Sequence, residues 1–411
     1  MAGIRELARE CGVSVATVSR ALNGHPEVSE TTRRQIQEAA TRLGYRPSQS
    51  ARALVRGRTD TVGLLWDTGY EVTGRRHPFL LALLVGVKRA LSASGRHMLL
   101  LNVDDNRHRS SDRAFLDIAL QHQLDGVVMM GVDEQHPTMR TLYGSGFPCV
   151  ALDLPVQGPR ATYVTSDNYT GAAEAVRYLY SLGHRDIATI TGPVDSLPAA
   201  QRLVGYEDAM RELGMTSRPE YVETGDFFVD SGYACAARLA LLPERPTAVF
   251  VAGDEMAVGA MHAFEDARIS IPGDIAIVGF DDIEAASLVR PALTTVAQDP
   301  IALGAAAVEV LLTLVDTPLP SVTQPVEAQA QGQAQASVDA DVDGASDAMR
   351  GAESAPVALA TASAGASTTS HASAKLKPQA PQPQQQSRSL LFAPRTVPTR
   401  LVERQSCAVR R

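Results

Sequence analysis

The stretch "GVSVATVSRALNG", residues 12–24, is built almost wholly from small, β-branched and hydroxyl side chains, with Arg20 as its only charge. Glycine closes it at both ends. Ser14 stands where a helix N-cap belongs, and Val15, Val18 and Leu22 form an apolar stripe behind it. Before it, Ile4, Leu7, Ala8 and Cys11 fall at i, i+3, i+4 and i+7. After it, Ser29 can cap a third helix whose inward face is Ile36, Ala39, Ala40 and Leu43, with Gly44 as its stop. Residues 1–46 therefore read as three short helices. A helix, a tight turn and a capped helix make the pattern that lays its second helix in the major groove of DNA. There Ser14 and Thr17 can reach phosphate at the helix N-terminus, and Arg20 can hold a phosphate or read a guanine. Val15 and Ala16 can touch thymine methyls. Periodicity alone suits a plain helical bundle equally well.

The charge around this stretch is lopsided. The 411-residue chain is −8 overall, yet residues 1–60 hold ten Arg and six acidic residues, a net +4 that leaves −12 for the remainder. A basic head on an acidic body confines any nucleic-acid footprint to the N-terminus. The segment that follows, 47–60, carries Arg52, Arg56 and Arg58 around Leu54, with Arg46 just before it. Basic residues around an apolar wedge suit a minor groove; a solvated linker fits the same residues.

From residue 61 the rhythm changes. "TVGLLW", "HMLLLNVDD", "LDGVVMMG" and "PCVALD" alternate with amphipathic helical stretches, and the pattern restarts near 166 with "IATITG", "AVFVAGD" and "IAIVGFDD". Continuous apolar strands alternating with helices signal parallel sheets covered on both faces. Two α/β units are expected, 61–165 and 166–295, each doubly wound. "LTTVAQDPIALGAAAVEVLLTLV" adds a strand and a helix, so 296–324 is assigned to the first unit. Residues 325–388 are rich in Ala, Gln, Ser and Pro without one aromatic, and read as a disordered insertion. "LLFAPRTVPTRLVERQS" beyond it reads as strand again, and 389–405 is assigned to the second unit.

Acidic residues gather at the C-terminal ends of the expected strands: Asp67, Asp104, Asp105, Asp153, Asp254, Asp281 and Asp282. Ligands of open α/β sheets bind in that crevice. Carboxylates there can accept sugar hydroxyls, and Phe79 and Phe227 can stack on a ring; paired Asp also fits glycoside hydrolysis or a metal. Lone Asp residues at strand ends equally serve as helix caps. GxSxG, HExxH and GxxxxGK[ST] are absent. The four Cys are far apart, with no CxxC pair, which argues against zinc and for reduced thiols in the cytoplasm. His184 looks like a helix end. The longest apolar run, Phe79 to Val87, is far short of the roughly 18 residues of a membrane span.

The chain closely resembles the lactose-repressor (LacI/GalR) family of bacterial regulators. The likeness runs through "VSVATVSRALNG", "VSETTRRQIQEAATRLGYRPSQSARALVRGRT", "SDNYTGAAEAVRYLYSLGHRDIATITG", "QRLVGY", "DEMAVGAM" and "IPGDIAIVGFDDIEAASLVRPALTTVAQD" to the terminal "VPTRLVERQS", with only 325–388 outside it. It implies an all-α helix-turn-helix head (1–46), a hinge helix (47–60) and a body of two doubly wound subdomains like the periplasmic sugar-binding proteins. It implies a cytoplasmic homodimer on double-stranded, near-palindromic operator DNA, most simply a repressor, with no cofactor, metal, membrane contact or enzymatic activity. Val15, Ala16 and Arg20 would read bases, and Ser14, Thr17, Ser19 and Asn23 would hold the backbone. The hinge, with Arg52, would fold on the operator and wedge Leu54 into its centre. Phe79, Asp153, Arg202, Phe227, Asp281 and Gln298 would line an effector cleft, with Arg202 as a bidentate clamp for hydroxyls. A sugar is the expected effector; a nucleobase is the alternative, and a glycosidase using paired Asp a distant one. The sequence departs from the family in a longer loop at 68–76, in Gly253 where many sugar-binding members have Asn, in Gly3 as the first cap, and in lacking the terminal leucine heptads of tetrameric members.

Overall fold

A computed structural model describes residues 3–22, 24–45, 58–66, 77–102, 113–131, 137–317 and 392–410. Asn23, the hinge residues Arg52 and Leu54, Asp67, Asp104, Asp105, the 68–76 loop and the 325–388 insertion lie outside them.

The head is three helices, α1 (Ile4–Glu10), α2 (Val15–Leu22) and α3 (Glu30–Arg42). Leu7, Val18 and Ile36, one from each, are fully buried together. The punctuation follows the sequence. Gly12, Gly24 and Gly44 have φ of 65°, 76° and 61°, the left-handed turn that ends a helix. Gly3 caps α1 without a side-chain hydrogen bond, whereas Ser29 accepts from the Thr32 N–H at the start of α3.

The first sheet of the body has strand order β11-β5-β4-β3-β1-β2: β1 (Thr61–Trp66), β2 (His97–Asn102), β3 (Gly126–Met130), β4 (Cys149–Leu152), β5 (Ala161–Ser166) and β11 (Arg395–Val397). All its pairings are parallel. Helices α4 (Pro78–Ala93), α5 (Ala114–Gln121) and α6 (Pro137–Gly144) connect its strands, and α12 (Pro300–Asp316) packs on β3, β4 and β5. Helices α4 and α12 approach backbone to backbone: a β-carbon on Gly86 would stand 2.7 Å from the Ile301 carbonyl, and one on Gly304 2.6 Å from the Val87 nitrogen.

The second sheet has order β12-β10-β9-β8-β6-β7: β6 (Ile187–Thr191), β7 (Val222–Thr224), β8 (Ala248–Val251), β9 (Ala276–Asp281), β10 (Thr294–Ala297) and β12 (Arg400–Val402). Only β12 runs antiparallel to its neighbour. Its helices are α7 (Asn168–Ser181), α8 (Leu197–Glu212), α9 (Val229–Ala240), α10 (Asp254–Asp266) and the short α11 (Glu284–Leu288). In both sheets strand order reverses beside the first strand, β1 or β6, the switch point where such folds open a crevice.

Two expected boundaries move. β10 pairs with β9, so the second subdomain runs through Ala297 and not 295. The terminal segment is divided: β11 pairs with β5 of the first sheet and β12 with β10 of the second, instead of all of 389–405 joining the second. Strand propensity does not say which of two similar sheets a three-residue strand joins. Among the described residues the chain thus crosses between subdomains three times, at 166–168, 297–300 and 397–400. The first and third crossings are tied: the Asp167 N–H donates to the Val397 carbonyl (2.8 Å) and Thr399 Oγ1 to the Asp167 carbonyl (3.2 Å).

Candidate functional site

In the head, the Thr17 N–H donates to Ser14 Oγ at 3.0 Å, so the hydroxyl expected to cap α2 does so. Val15, Ala16 and Arg20 are exposed, Ala16 and Arg20 on the helix face opposite Val18 and Ala21 and Val15 at the edge of the apolar stripe, and Thr17 and Ser19 are half-buried. At 41% exposure, Val15 leaves a large part of its apolar side chain open to solvent in the free head. Arg20 is tethered only loosely, 3.5 Å from an exposed Glu27.

In the body, Asp153, Arg202, Phe227, Asp281 and Gln298 are linked at the C-terminal ends of the two sheets, and Phe79 stands beside them only by its contact with His77. Arg202, on α8, is buried. Its Nε donates to Asn168 Oδ1 (2.9 Å), its Nη1 donates to the Ala252 carbonyl (2.7 Å), and Nη1 is 3.6 Å from Asp281 Oδ1. The guanidinium lies 3.7 Å from the centroid of the Phe280 ring and 6.0 Å from that of Phe227. Gln298 Nε2 donates to Asp281 Oδ1 at 2.6 Å. From Asn168 the network continues into the first subdomain: its Nδ2 donates to Thr165 Oγ1 (3.1 Å), which donates to Asp153 Oδ1 (2.7 Å). Gln201 Oε1 accepts from the same amide. A continuous chain therefore joins Asp153 in one subdomain to Asp281 in the other.

Burial pushes the Asp153 and Asp281 carboxyls up from their ordinary value, and the Arg202 charge opposes that at both. Burial likewise pulls Arg202 down, against the attraction of Asp281 and Asp153. Three of these residues hold unusual backbone: φ is 56° at Asp153, 70° at Phe227 and 121° at Asp281. For phenylalanine that is a strained conformation, of the kind that persists where surrounding structure imposes it. Phe79 is buried in the first turn of α4, its ring 6.5 Å from that of His77 in a T-shaped pair.

The remaining strand-end carboxylates separate by role. Asp254 accepts from Thr295 Oγ1 (2.6 Å) and the Ile283 N–H (3.0 Å) beneath Gly279, where a β-carbon would stand 2.2 Å from its Oδ1. It is an internal brace, and burial raises its pKa well above the usual carboxylate range. Asp282 pairs with Arg404 at 2.6 Å. His184 sits between Thr247 Oγ1 (3.1 Å) and the Ala408 carbonyl (3.3 Å), a structural place at the end of α7. Sequence reasoning passed over His77, Thr165, Asn168 and Gln201. Asn168 and Gln201 lie one residue from the strand-end Asp167 and from Arg202, and only the fold shows which of each pair faces the cleft.

Residues 3–48 match the family model described as bacterial regulatory proteins, lacI family, and 176–331 that of a periplasmic binding protein-like domain. The ribose operon repressor of Escherichia coli (strain K12) is 34% identical over 319 residues, 77% of this chain and 94% of its own. The catabolite control protein A of Priestia megaterium is 34% identical over 311 residues, 75% of this chain and 91% of its own. Among solved structures, a complex of the transcriptional regulator CelR with cellobiose superposes with a TM-score of 0.61 at 26% identity, over 99% of this chain and 100% of that one. The lac repressor dimer bound to operator and the anti-inducer ONPF shares the fold, with a TM-score of 0.69 at 23% identity over 99% of each chain. With a lacI-type head, a periplasmic-binding-protein-like body and repressor relatives spanning three quarters of its length, the chain belongs to the lacI family of bacterial regulatory proteins, DNA-binding transcription regulators and not enzymes.

Proposed function

We propose that the protein is a repressor that binds a near-palindromic operator as a homodimer and is controlled by a sugar held between its subdomains. The observation that carries this reading is the chain of hydrogen bonds Asp153–Thr165–Asn168–Arg202, completed by the Arg202–Asp281 ion pair, which spans both subdomains where their switch points open. A ligand bound there contacts both halves at once. It therefore favours one mutual arrangement over another, and linkage makes operator affinity respond.

Val15, Ala16 and Arg20 read bases in this account, while Ser14, Thr17, Ser19 and Asn23 hold the backbone. Arg52 and Leu54 of the hinge engage the operator centre. An exposed apolar strip supports the dimer: Leu81 and Val85 stand one turn apart on α4, and Leu100 lies on the edge strand β2 against which α4 packs. Among the described residues no helix is long and apolar enough to cross a membrane.

Selection from a random duplex pool with the full chain tests the reading. A two-fold-related pair of half-sites should emerge, bound with a steep inverse dependence on salt. A single unsymmetrical site would remove the dimer, and no enrichment at all would remove the reader.

A further inference from the structure

His77 stands just ahead of α4, as its N-cap residue, and its side chain makes no capping bond. Its ring meets Phe79 of the same subdomain edge-on at 6.5 Å, and Phe228 of the other subdomain, the N-cap residue of α9, at 5.9 Å. It is thus an aromatic contact across the cleft. The charges of Asp281 and Arg202 both act on it. Its Nδ1 is buried and has no hydrogen-bond partner among the described residues. Leaving a buried polar atom unpaired is costly, and native proteins seldom accept that without a reason. Burial also pulls the imidazole down from its ordinary 6.5, so the ring is neutral near pH 7, with one nitrogen as donor and the other as acceptor. A hydroxyl satisfies either.

The charge of the cleft narrows the ligand further. Asp153 and Asp281 flank Arg202, whose donors already serve Asn168, Ala252 and Asp281. A phosphate or carboxylate would meet two carboxyls and a guanidinium that is already engaged.

We propose that His77 is a specificity-determining residue of the cleft, its Nδ1 hydrogen-bonding a hydroxyl of an uncharged sugar while its ring closes on Phe228. This rests on the cleft being the effector site. It separates two jobs of one ring, the bond through nitrogen and the packing through carbon, and His77→Phe removes the first while keeping most of the second.

The test is thermal shift and titration calorimetry on the full-length protein and on His77→Phe and His77→Asn. D-ribose, D-glucose and cellobiose are the probes, with glucose 6-phosphate and glucuronate as charged counterparts. At least one uncharged sugar should stabilise the unaltered protein, and the charged counterparts should bind less tightly. His77→Phe should melt no lower than the unaltered protein without ligand, because an unpaired polar atom has gone, yet bind that sugar at least tenfold more weakly. His77→Asn, which keeps a polar group, should fall between. Equal affinity in His77→Phe would overturn the inference and leave the cleft as effector site. A ligand-free melting point several degrees lower would make the ring a packing element only. Tighter binding of a charged counterpart, or no response to any uncharged sugar, would overturn the ligand class; operator selection then still reports on the head independently.

Discussion

The ring of Phe227 covers Gly192 so closely that a β-carbon on the glycine would stand 2.2 Å from Cζ and 2.5 Å from each Cε. Phe227 already sits at a φ of 70°. Gly192→Ala must therefore push the ring away or distort its backbone further, for about 1–3 kcal/mol. For a body of this size each kcal/mol lowers the melting temperature by roughly 2–4 °C. Calorimetry should show that loss together with weaker effector binding. Unchanged melting would mean the ring moves freely and does not shape the cleft.

Arg202 is the cation that the buried carboxyls of Asp153 and Asp281 face. Arg202→Lys keeps the charge but cannot serve Asn168, Ala252 and Asp281 together from one ammonium. The variant should fold with reduced stability and lose the ligand-induced melting shift. Arg202→Ala leaves the carboxyls unpaired and should cost about 3–5 kcal/mol, since breaking a buried pair strands its partner. A normal ligand response in either variant would put the effector elsewhere.

Ser14→Ala removes the hydroxyl that caps α2. The head should lose about 1 kcal/mol, the usual worth of an N-cap, and bind all sequences more weakly by a similar factor. Ala16→Ser, on the exposed face, should instead change which duplexes are preferred. Identical ranking of duplexes by this variant and the unaltered protein would deny α2 the reading role.

Leu81→Asp with Val85→Asp places two carboxylates on the apolar strip of α4. Sedimentation should move toward the monomer, and affinity for a two-fold operator should fall at least tenfold while single-site binding persists. A stable dimer with both substitutions would place the interface elsewhere.

The pH dependence of stability has two windows of opposite sign. Burial lowers His77 and His184 below 6.5 in the folded chain. As pH drops below that unfolded value, the unfolded chain takes up protons that the folded chain refuses, and stability falls. Burial raises Asp153, Asp254 and Asp281 above 3.8, so the folded chain keeps protons that the unfolded chain releases. Their contribution weakens as pH rises from 3.8 through the raised values. His184→Gln should flatten the upper window, read from urea midpoints between pH 5 and 7. An unchanged slope would assign the protons to other groups.

The head was legible because each of its signals is local. A serine caps the helix that follows it, a glycine ends the one before, and within single helices Leu7, Ala8 and Cys11, or Ile36, Ala39 and Ala40, repeat at helical spacing. The two sheets were legible because continuous apolar strands alternate with helices. What the sequence left open is partnership at a distance. Arg395–Val397 and Arg400–Val402 are equally strand-like, and only pairing with Ser166 or Thr295 decides their sheets. The same holds in the cleft, where the strand-end carboxylates looked alike. Asp281 faces Arg202 and Asp254 braces Thr295 because of where Gly279 and the α10 turn put them, which no spacing along the chain records.

The two ends bordering the long segment after α12 are each anchored to the body without it. Arg58 bonds Asp316 and the Val315 carbonyl, Arg160 bonds the Leu314 carbonyl, and Arg395 returns to Glu309 on the same helix. Side chains and sheet pairing therefore hold helix α12 and strand β11 on the first subdomain. Closing a longer link costs only about 0.6 kcal/mol per doubling of its length. A change in the length of that link should therefore leave both pairings, and with them the third crossing, in place.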